Sequence, residues 1–409
     1  MLIGSFYPEN GIKVFGHDFH FLAVGENKKK KEPASEAMIT IDIDSLVQVA
    51  KQKKDSIDLV SKILKQKLLD SILLSQKSIQ YPNNDKSLLF SFFEKLDNAK
   101  TKKVRVMHYG DSQIEADRIT SRLRERLQKE FGGYGAGAFS VVPATRKLAV
   151  KTEYSSNWRR KTGFGPYIDT AINHKNYGGL FAFSKYLTDS LENKASIDVL
   201  KPTKAYKHGR YYQQLNIYYT NSDSTQLTVI NEDTVLFSDT LKITNKITQL
   251  TFDFNSTPSQ LSLQFTGHNS PLLYGMSTEG ETGLVVDNIP LRGASGTEFS
   301  KIDYNGLKNM HDLLSPALFI LEFGGNSIPY MKTKESCERY GKRFKKQIQK
   351  LQKINPEAQF IVIGPGDMST KNKTELITYP LLINVRDELR DVALETNSCF
   401  WDMYLNMGG

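Results

Sequence analysis

At 409 residues the chain is long enough for about two or three domains and an ample core. With 39% hydrophobic and 24% charged residues its composition is that of an ordinary globular protein, and no run of about 18 apolar residues is present that could span a membrane as a helix. The net charge of +9 fits an anionic polymer or surface as partner and equally fits none, and the basic runs at 28–31, 51–54 and 342–346 read as solvated faces. Nothing calls for nucleic acid. Two cysteines, Cys337 and Cys399, exclude a disulfide framework and a thiolate metal site. The N-terminus shows no basic region followed by a long apolar core, so no signal peptide is visible.

In chain order, Ile12–Phe15 and Phe19–Leu22 read as short strands. His17 and His20 lie three apart, but without a third ligand nearby they read as polar strand residues and not as a metal pair. Leu46, Val49, Ile57, Val60, Leu64, Leu68 and Ile72 give residues 45–76 an amphipathic helical pattern, suited to a packing arm, a short coiled coil or a spacer. Residues 79–85 break it, and Ser87–Leu96 is again helical.

Val104–Tyr109 is an alternating apolar strand that runs straight into Gly110-Asp111-Ser112, and a helix is predicted over Ile114–Leu127. Asp111 and Ser112 fit a helix cap. They also fit a nucleophile turn, in which the serine is lifted off the sheet edge beside a helix N-terminus. The glycine-rich Phe131–Phe139 lacks the lysine and hydroxyl of a phosphate loop and reads as a tight loop at the active-site rim.

From 151 to 284 helical periodicity gives way to short alternating strands separated by polar turns, the pattern of an inserted all-β sandwich. Tyr211, Tyr212, Tyr218 and Tyr219 could stack on sugars, although tyrosine is a common strand former. After Leu284 strands and helices alternate again. Strands at 283–290, 317–323, 359–363 and 398–401 and helices at 297–310, 337–354 and 382–396 predict a parallel sheet with helices on both faces. Each strand that ends in a glycine-rich turn delivers that turn to the carboxyl edge, where such folds bind ligands.

Four of these turns, Gly110-Asp111-Ser112, Ser295-Gly296-Thr297, Gly324-Gly325-Asn326 and Gly364–Ser369, resemble in order and position the signature blocks of the SGNH (GDSL-type) hydrolases. The wider stretch His108–Gly135 resembles bacterial envelope members that deacetylate peptidoglycan and carry an inserted β-sandwich like a carbohydrate-binding module. The resemblance implies an α/β fold, a flavodoxin-like SGNH parallel sheet sandwiched by helices, with the all-β insert and a helical N-terminal extension. It divides the chain into an extension at 1–85, a discontinuous hydrolase domain at 86–150 and 285–409, and an insert at 151–284 suited to glycan binding.

The same resemblance assigns roles. Ser112 is the nucleophile, and its own N–H, the N–H of Gly296 and the amide of Asn326 form the oxyanion hole. Asp111 and His108 stand behind them as supporting residues. Preorganised donors of that kind contribute typically about 3–4 kcal/mol each. Ser327 stands where many members have Asp. The family's base, a histidine in an Asp-x-x-His block, has no counterpart here: none of the seven histidines has an aspartate three residues before it, and the last residues approach that block at Phe400-Trp401-Asp402. The implied function is an O-acetylesterase acting on an acetylated cell-wall glycan, in the bacterial periplasm or envelope, with no metal or organic cofactor and with the 45–76 helix as a surface for an envelope protein partner. An O-acetyltransferase on the same scaffold is one alternative. A glycan-binding or scaffold protein without a base is the other.

Overall fold

The structure is a computed structural model that describes residues 12–14, 17–19, 64–66, 77–165, 168–169, 171–188 and 193–409. The chain forms two compact units, Met1–Gln80 and Tyr81–Gly409. In the first, β1 (Ile12–Val14) pairs antiparallel with β2 (His17–Phe19). The second strand therefore starts two residues earlier than its apolar residues suggested. Residues 64–66 are helical, and the rest of the 45–76 pattern lies outside the described residues, as does His20.

The second unit opens with helix α1 (Phe90–Asp97) and strand β3 (Lys103–Gly110), then α2 (Thr120–Phe131) and β4 (Gly137–Phe139). Ten strands follow: β5 (Lys151–Tyr154), β6 (Trp158–Thr162), β7 (Ala182–Tyr186), β8 (Lys194–Leu200), β9 (Gln214–Asn221), β10 (Gln226–Asn231), β11 (Thr234–Thr240), β12 (Thr244–Asp253), β13 (Gln260–Thr266) and β14 (Leu272–Glu279). The α/β alternation then resumes with β15 (Gly283–Pro290), α3 (Tyr304–Leu314), β16 (Pro316–Glu322), α4 (Lys334–Ile354) and β17 (Gln359–Ile363). A hairpin, β18 (Ser369–Asn372) and β19 (Glu375–Thr378), precedes α5 (Leu382–Glu395), β20 (Cys399–Trp401) and α6 (Met403–Met407).

β15, β3, β16, β17 and β20 form one all-parallel sheet in that order. Both faces are covered, as an all-parallel sheet requires. Met107, Tyr109, Phe319, Leu321, Phe360 and Val362 share a core with residues of α3, α4 and α5. The alternate residues Val106, Ile320 and Ile361 are equally buried on the other face, where α1 packs on β16. Numbered by sequence the order is second, first, third, fourth, fifth. The direction of winding reverses between β3 and β16, so the crevice for a ligand lies where their carboxyl ends part. Ser112 follows β3 and Asn326 follows β16.

Strands β5 to β14 build two antiparallel sheets, β11-β10-β13-β8-β5 and β12-β9-β14-β7-β6, with β4 added to β14. Ile197, Leu227 and Leu263 of the first sheet pack against Leu215, Ile217 and Met276 of the second, which makes a sandwich. The second sheet turns its other face to the parallel sheet, and Tyr218, Tyr274 and Phe183 join the core of Met107 and Tyr109. The sandwich is thus fused to the parallel-sheet region by a common core. Tyr212, Tyr218 and Tyr219 are buried in these cores; Tyr211 is exposed, with the Lys201 ammonium 4.5 Å above its ring.

Four details depart from the sequence pattern. β4, placed by sequence before the insert, belongs to the second antiparallel sheet through Gly137↔Thr278 and Phe139↔Met276. The glycine-rich loop is not at the active-site rim. Gly132 O accepts from Leu284 N and a Cβ on Gly135 would sit 2.1 Å from Thr278 O, so the loop packs at the amino end of β15, away from Ser112. The helix expected from Ile114 is α2 and begins at Thr120, because Ala116 and Asp117 adopt left-handed conformations (φ 56 and 63). The helix expected over 297–310 is split into a 3₁₀ turn, Phe299–Lys301, and α3.

A candidate active site at the carboxyl edge

Gly110 closes β3 where there is no room for a side chain: a Cβ would lie 3.0 Å from both Glu322 O and Ile114 Cδ1. Its carbonyl accepts from Leu291 N (2.8 Å), and Asp111 N donates to Glu322 O (3.3 Å), so the turn is tied to the strands on both sides. Asp111 Oδ1 accepts from Gln113 N (2.8 Å) and caps a 3₁₀ segment, Ser112–Asp117. The cap reading and the nucleophile reading are therefore compatible, since the capping is done by Asp111. Ser112 itself is half-buried, and among the described residues neither its hydroxyl nor its N–H has a hydrogen-bond partner. Arg118 holds the turn from outside, donating to Ser112 O and, at 3.1 Å, to Glu115 O.

The loop after β16 meets this turn through Asn326. Its Nδ2 donates to Asp111 Oδ2 (3.1 Å) and to Ala294 O (3.0 Å), which links three loops at one atom. Gly324 (φ 121) makes the bend, and a Cβ on Gly325 would come within 3.5 Å of Asp111 Oδ2 and Met368 Sδ, so the loop after β17 also converges here. Gly296, two residues past Ala294, has φ 78, and a Cβ there would meet Phe344 Cε2 at 2.5 Å. Only glycine suits that position, and its N–H has no partner among the described residues. Tyr340 donates to Ser295 O (2.7 Å) and fixes the loop from beneath. The structure thus brings Ser112, Asn326 and the Gly296 loop together around Asp111. Both hydrogens of the Asn326 amide are engaged, so an oxyanion would compete with Asp111 and Ala294 for them.

Asp111 is buried, and that burial, reinforced by Glu322 and Glu115, raises its carboxyl to about 6 against the pull of Gln113 N–H and Arg118. His108 lies on β3 under the turn, fully buried, with Nδ1 3.0 Å from Thr120 Oγ1 and Nε2 3.1 Å from Glu322 Oε2. Both ring nitrogens are occupied, so it braces the turn and does not stand as a base beside Ser112. His174, His208, His268 and His311 bond elsewhere, to Asn176, Glu125, Asn193 and Tyr109. Among the described residues no histidine is bonded to Ser112, and no group of three potential metal ligands gathers.

The charges around this turn carry no signal in the sequence. Arg292 clamps Glu115 with two bonds (2.8 and 2.6 Å), and Arg124 clamps Asp117 with two (2.7 and 3.1 Å). The Asp117 clamp holds the left-handed residues that delay α2. These partners lie far from Ser112 in sequence or on a helix expected to be continuous, and no local pattern announces them.

No family model and no curated protein sequence matches the chain. Solved structures do. A peptidoglycan O-acetylesterase aligns over 79% of this chain and 84% of its own at 19% identity, with a TM-score of 0.59. Family two carbohydrate esterases from Cellvibrio japonicus (10% identity; 60% and 85% covered; TM-score 0.20) and Clostridium thermocellum (8%; 62% and 89%; 0.24) align much more loosely. The first likeness is one of fold: a parallel sheet flanked by helices, with accompanying antiparallel sheets, is the architecture of this chain.

Proposed function

We propose that the chain is a serine esterase that removes O-acetyl groups from a cell-wall glycan in the bacterial envelope, through an acetyl-enzyme on Ser112. The observation that supports this reading is the meeting of the Ser112 turn, whose hydroxyl has no hydrogen-bond partner among the described residues, the Asn326 amide and the Gly296 loop around Asp111 at the switch point of the sheet. In the first step Ser112 Oγ bonds to the acetyl carbonyl carbon, and the carbonyl oxygen becomes an oxyanion facing donors from three loops. The glycan oxygen then leaves with a proton, and water releases acetate by the same path in reverse. The proton from Ser112 needs a base, and none of the described histidines supplies it.

That last observation favours a second reading, a glycan-binding protein on a hydrolase scaffold, and an acyltransferase shares the same first step. The experiment is acetate release by the full-length protein from an O-acetylated glycan, with p-nitrophenyl acetate as a small surrogate. The esterase reading predicts turnover that falls on the order of 10⁶-fold in Ser112→Ala. Turnover unchanged by that substitution overturns it, and transfer of acetate to a glycan acceptor in place of water identifies the transferase.

A further inference from the structure

Beside the nucleophile turn a cleft of about 460 Å³ opens between the chain that follows β4 and strand β5. Its wall runs from Ala116, on the Ser112 turn, outward to Lys204, and it carries Arg146, Lys147, Lys151 and Lys204 against the single carboxylate of Glu153. Its inner end is lined by Lys147, Arg160, Ser140, Thr145 and Asn288.

The charges at that inner end do not balance. Asp117 and Asp287 act on Lys147, and Glu115 acts on Arg160, but each of the three is held by another arginine. Arg124 holds Asp117, Arg105 holds Asp287 (2.8 Å), and Arg292 holds Glu115. Lys147 Nζ donates once, to Asn288 O (2.6 Å). The Arg160 guanidinium has no hydrogen bond among the described residues; its Nε is buried, and it lies over the Phe164 ring at 5.9 Å. Burial, together with the repulsion of Arg124 and Arg160, brings the Lys147 ammonium down to about 8. Two sheltered cations with no carboxylate between them are unfavourable until an anion arrives. Asn288 adds a second unmet group. Its Nδ2 donates to Ile114 O (2.9 Å) and Thr120 Oγ1 (2.8 Å), and Oδ1 is buried without a donor among the described residues.

We propose that Lys147 and Arg160 form a subsite for a carboxylate carried by the glycan, with Asn288 Oδ1 accepting from a neighbouring sugar hydroxyl, so that the substrate is an acidic sugar. This rests on the reading of Ser112 as a glycan esterase and adds the class of sugar. The pair supplies charge-assisted donors, and the orphan acceptor meets what a sugar acid also carries, a hydroxyl.

The test uses the full chain with Ser112→Ala to stop turnover and measures binding calorimetrically. The probes are N-acetylglucosaminyl-N-acetylmuramic acid, its carboxamide, and a hyaluronan tetrasaccharide whose carboxylate is uronic. At least one acid should bind about tenfold or more tighter than the uncharged carboxamide, the scale of one charged hydrogen bond. The preference should vanish in Arg160→Gln and shrink in Lys147→Gln. The tighter acid assigns the carboxylate to a lactyl or a uronic position. Equal binding of acids and carboxamide overturns the subsite, as does a preference that survives both substitutions, and the first of these outcomes needs no variant of the cleft. Hydrolysis of p-nitrophenyl acetate by the unsubstituted chain is measured alongside. Its absence with the acid preference intact overturns the esterase reading alone, and its presence without the preference overturns the subsite alone.

Discussion

Arg105 and Arg160 sit under opposite rules. Arg105 lies on β3 at the seam between the parallel sheet and the sandwich, bonded to Asp287 of β15 and to Glu279 of β14. Lys103 adds a second cation to Glu279 at 2.7 Å. Burial disfavours the Glu279 carboxylate, but Arg105 and Lys103 outweigh it and hold the group at about 2. Arg105 is in turn raised by its two carboxylates in spite of burial. At the carboxyl edge Arg160 has no such partner among the described residues, and neither do the Ser112 hydroxyl and the Gly296 N–H. The seam satisfies its charges internally and so serves cohesion. The carboxyl edge leaves groups unmet and so is equipped to meet something else.

The largest effect on folding should come from breaking the seam. Arg105→Met leaves Asp287 and Glu279 buried without their main cation and should cost about 3–5 kcal/mol by urea denaturation. A loss below about 1 kcal/mol, the range of an exposed pair, removes the distinction between the two regions. Asn326→Ala works at the other end. It should lower kcat for acetate release by about 10²–10³-fold, while KM and the unfolding midpoint change little. An equal loss of stability would make Asn326 part of the framework and not of the site.

Acid should reveal a third contrast, at His311. This ring is buried in the core beneath β3, with Nδ1 3.0 Å from Asn355 Nδ2 and Nε2 3.0 Å from Tyr109 Oη, while Tyr109 donates to Gly179 O. These partners assign the proton to Nε2. Burial lowers the ring to about 3, only partly offset by the Asn355 bond. Because the folded pKa lies below the unfolded value near 6.5, the stability it confers is present above pH 6.5 and is lost as pH falls toward 3. The loss is about 1.4 kcal/mol per pH unit in that window. His311→Gln should flatten that slope in a series of unfolding curves; an unchanged slope assigns acid sensitivity elsewhere. The smallest effect should be Arg160→Gln, within about 0.5 kcal/mol of the parent chain. A cost like that of Arg105→Met would mean that Arg160 is structural.

The parallel sheet was legible in the sequence because its signals are local: buried apolar runs, each ending in a glycine-rich turn. The same turns carry Ser112, Gly296 and Asn326, and Gly296 has the positive φ that glycine adopts without strain. What escaped was set by long-range contacts. Arg124 holds Asp117 in the left-handed conformation, next to a left-handed Ala116, so α2 starts later than its apolar spacing indicated. The glycine-rich loop looked like an active-site feature, but close packing against β14 and β15 explains its composition equally well, and it lies at the opposite end of the sheet. Lys147 and Arg160 carried no signal, since an unpaired cation is recognised only after every nearby carboxylate has been assigned to another partner.

The claim that Ser112 is the reactive group is tested most directly by covalent trapping. The full-length protein is treated with a fluorophosphonate, digested and mapped by mass spectrometry. The predicted result is one phosphonyl adduct on the peptide that contains Ser112, abolished by Ser112→Ala and slowed in Asn326→Ala. An adduct on a different serine, or none from a protein that releases acetate, contradicts it.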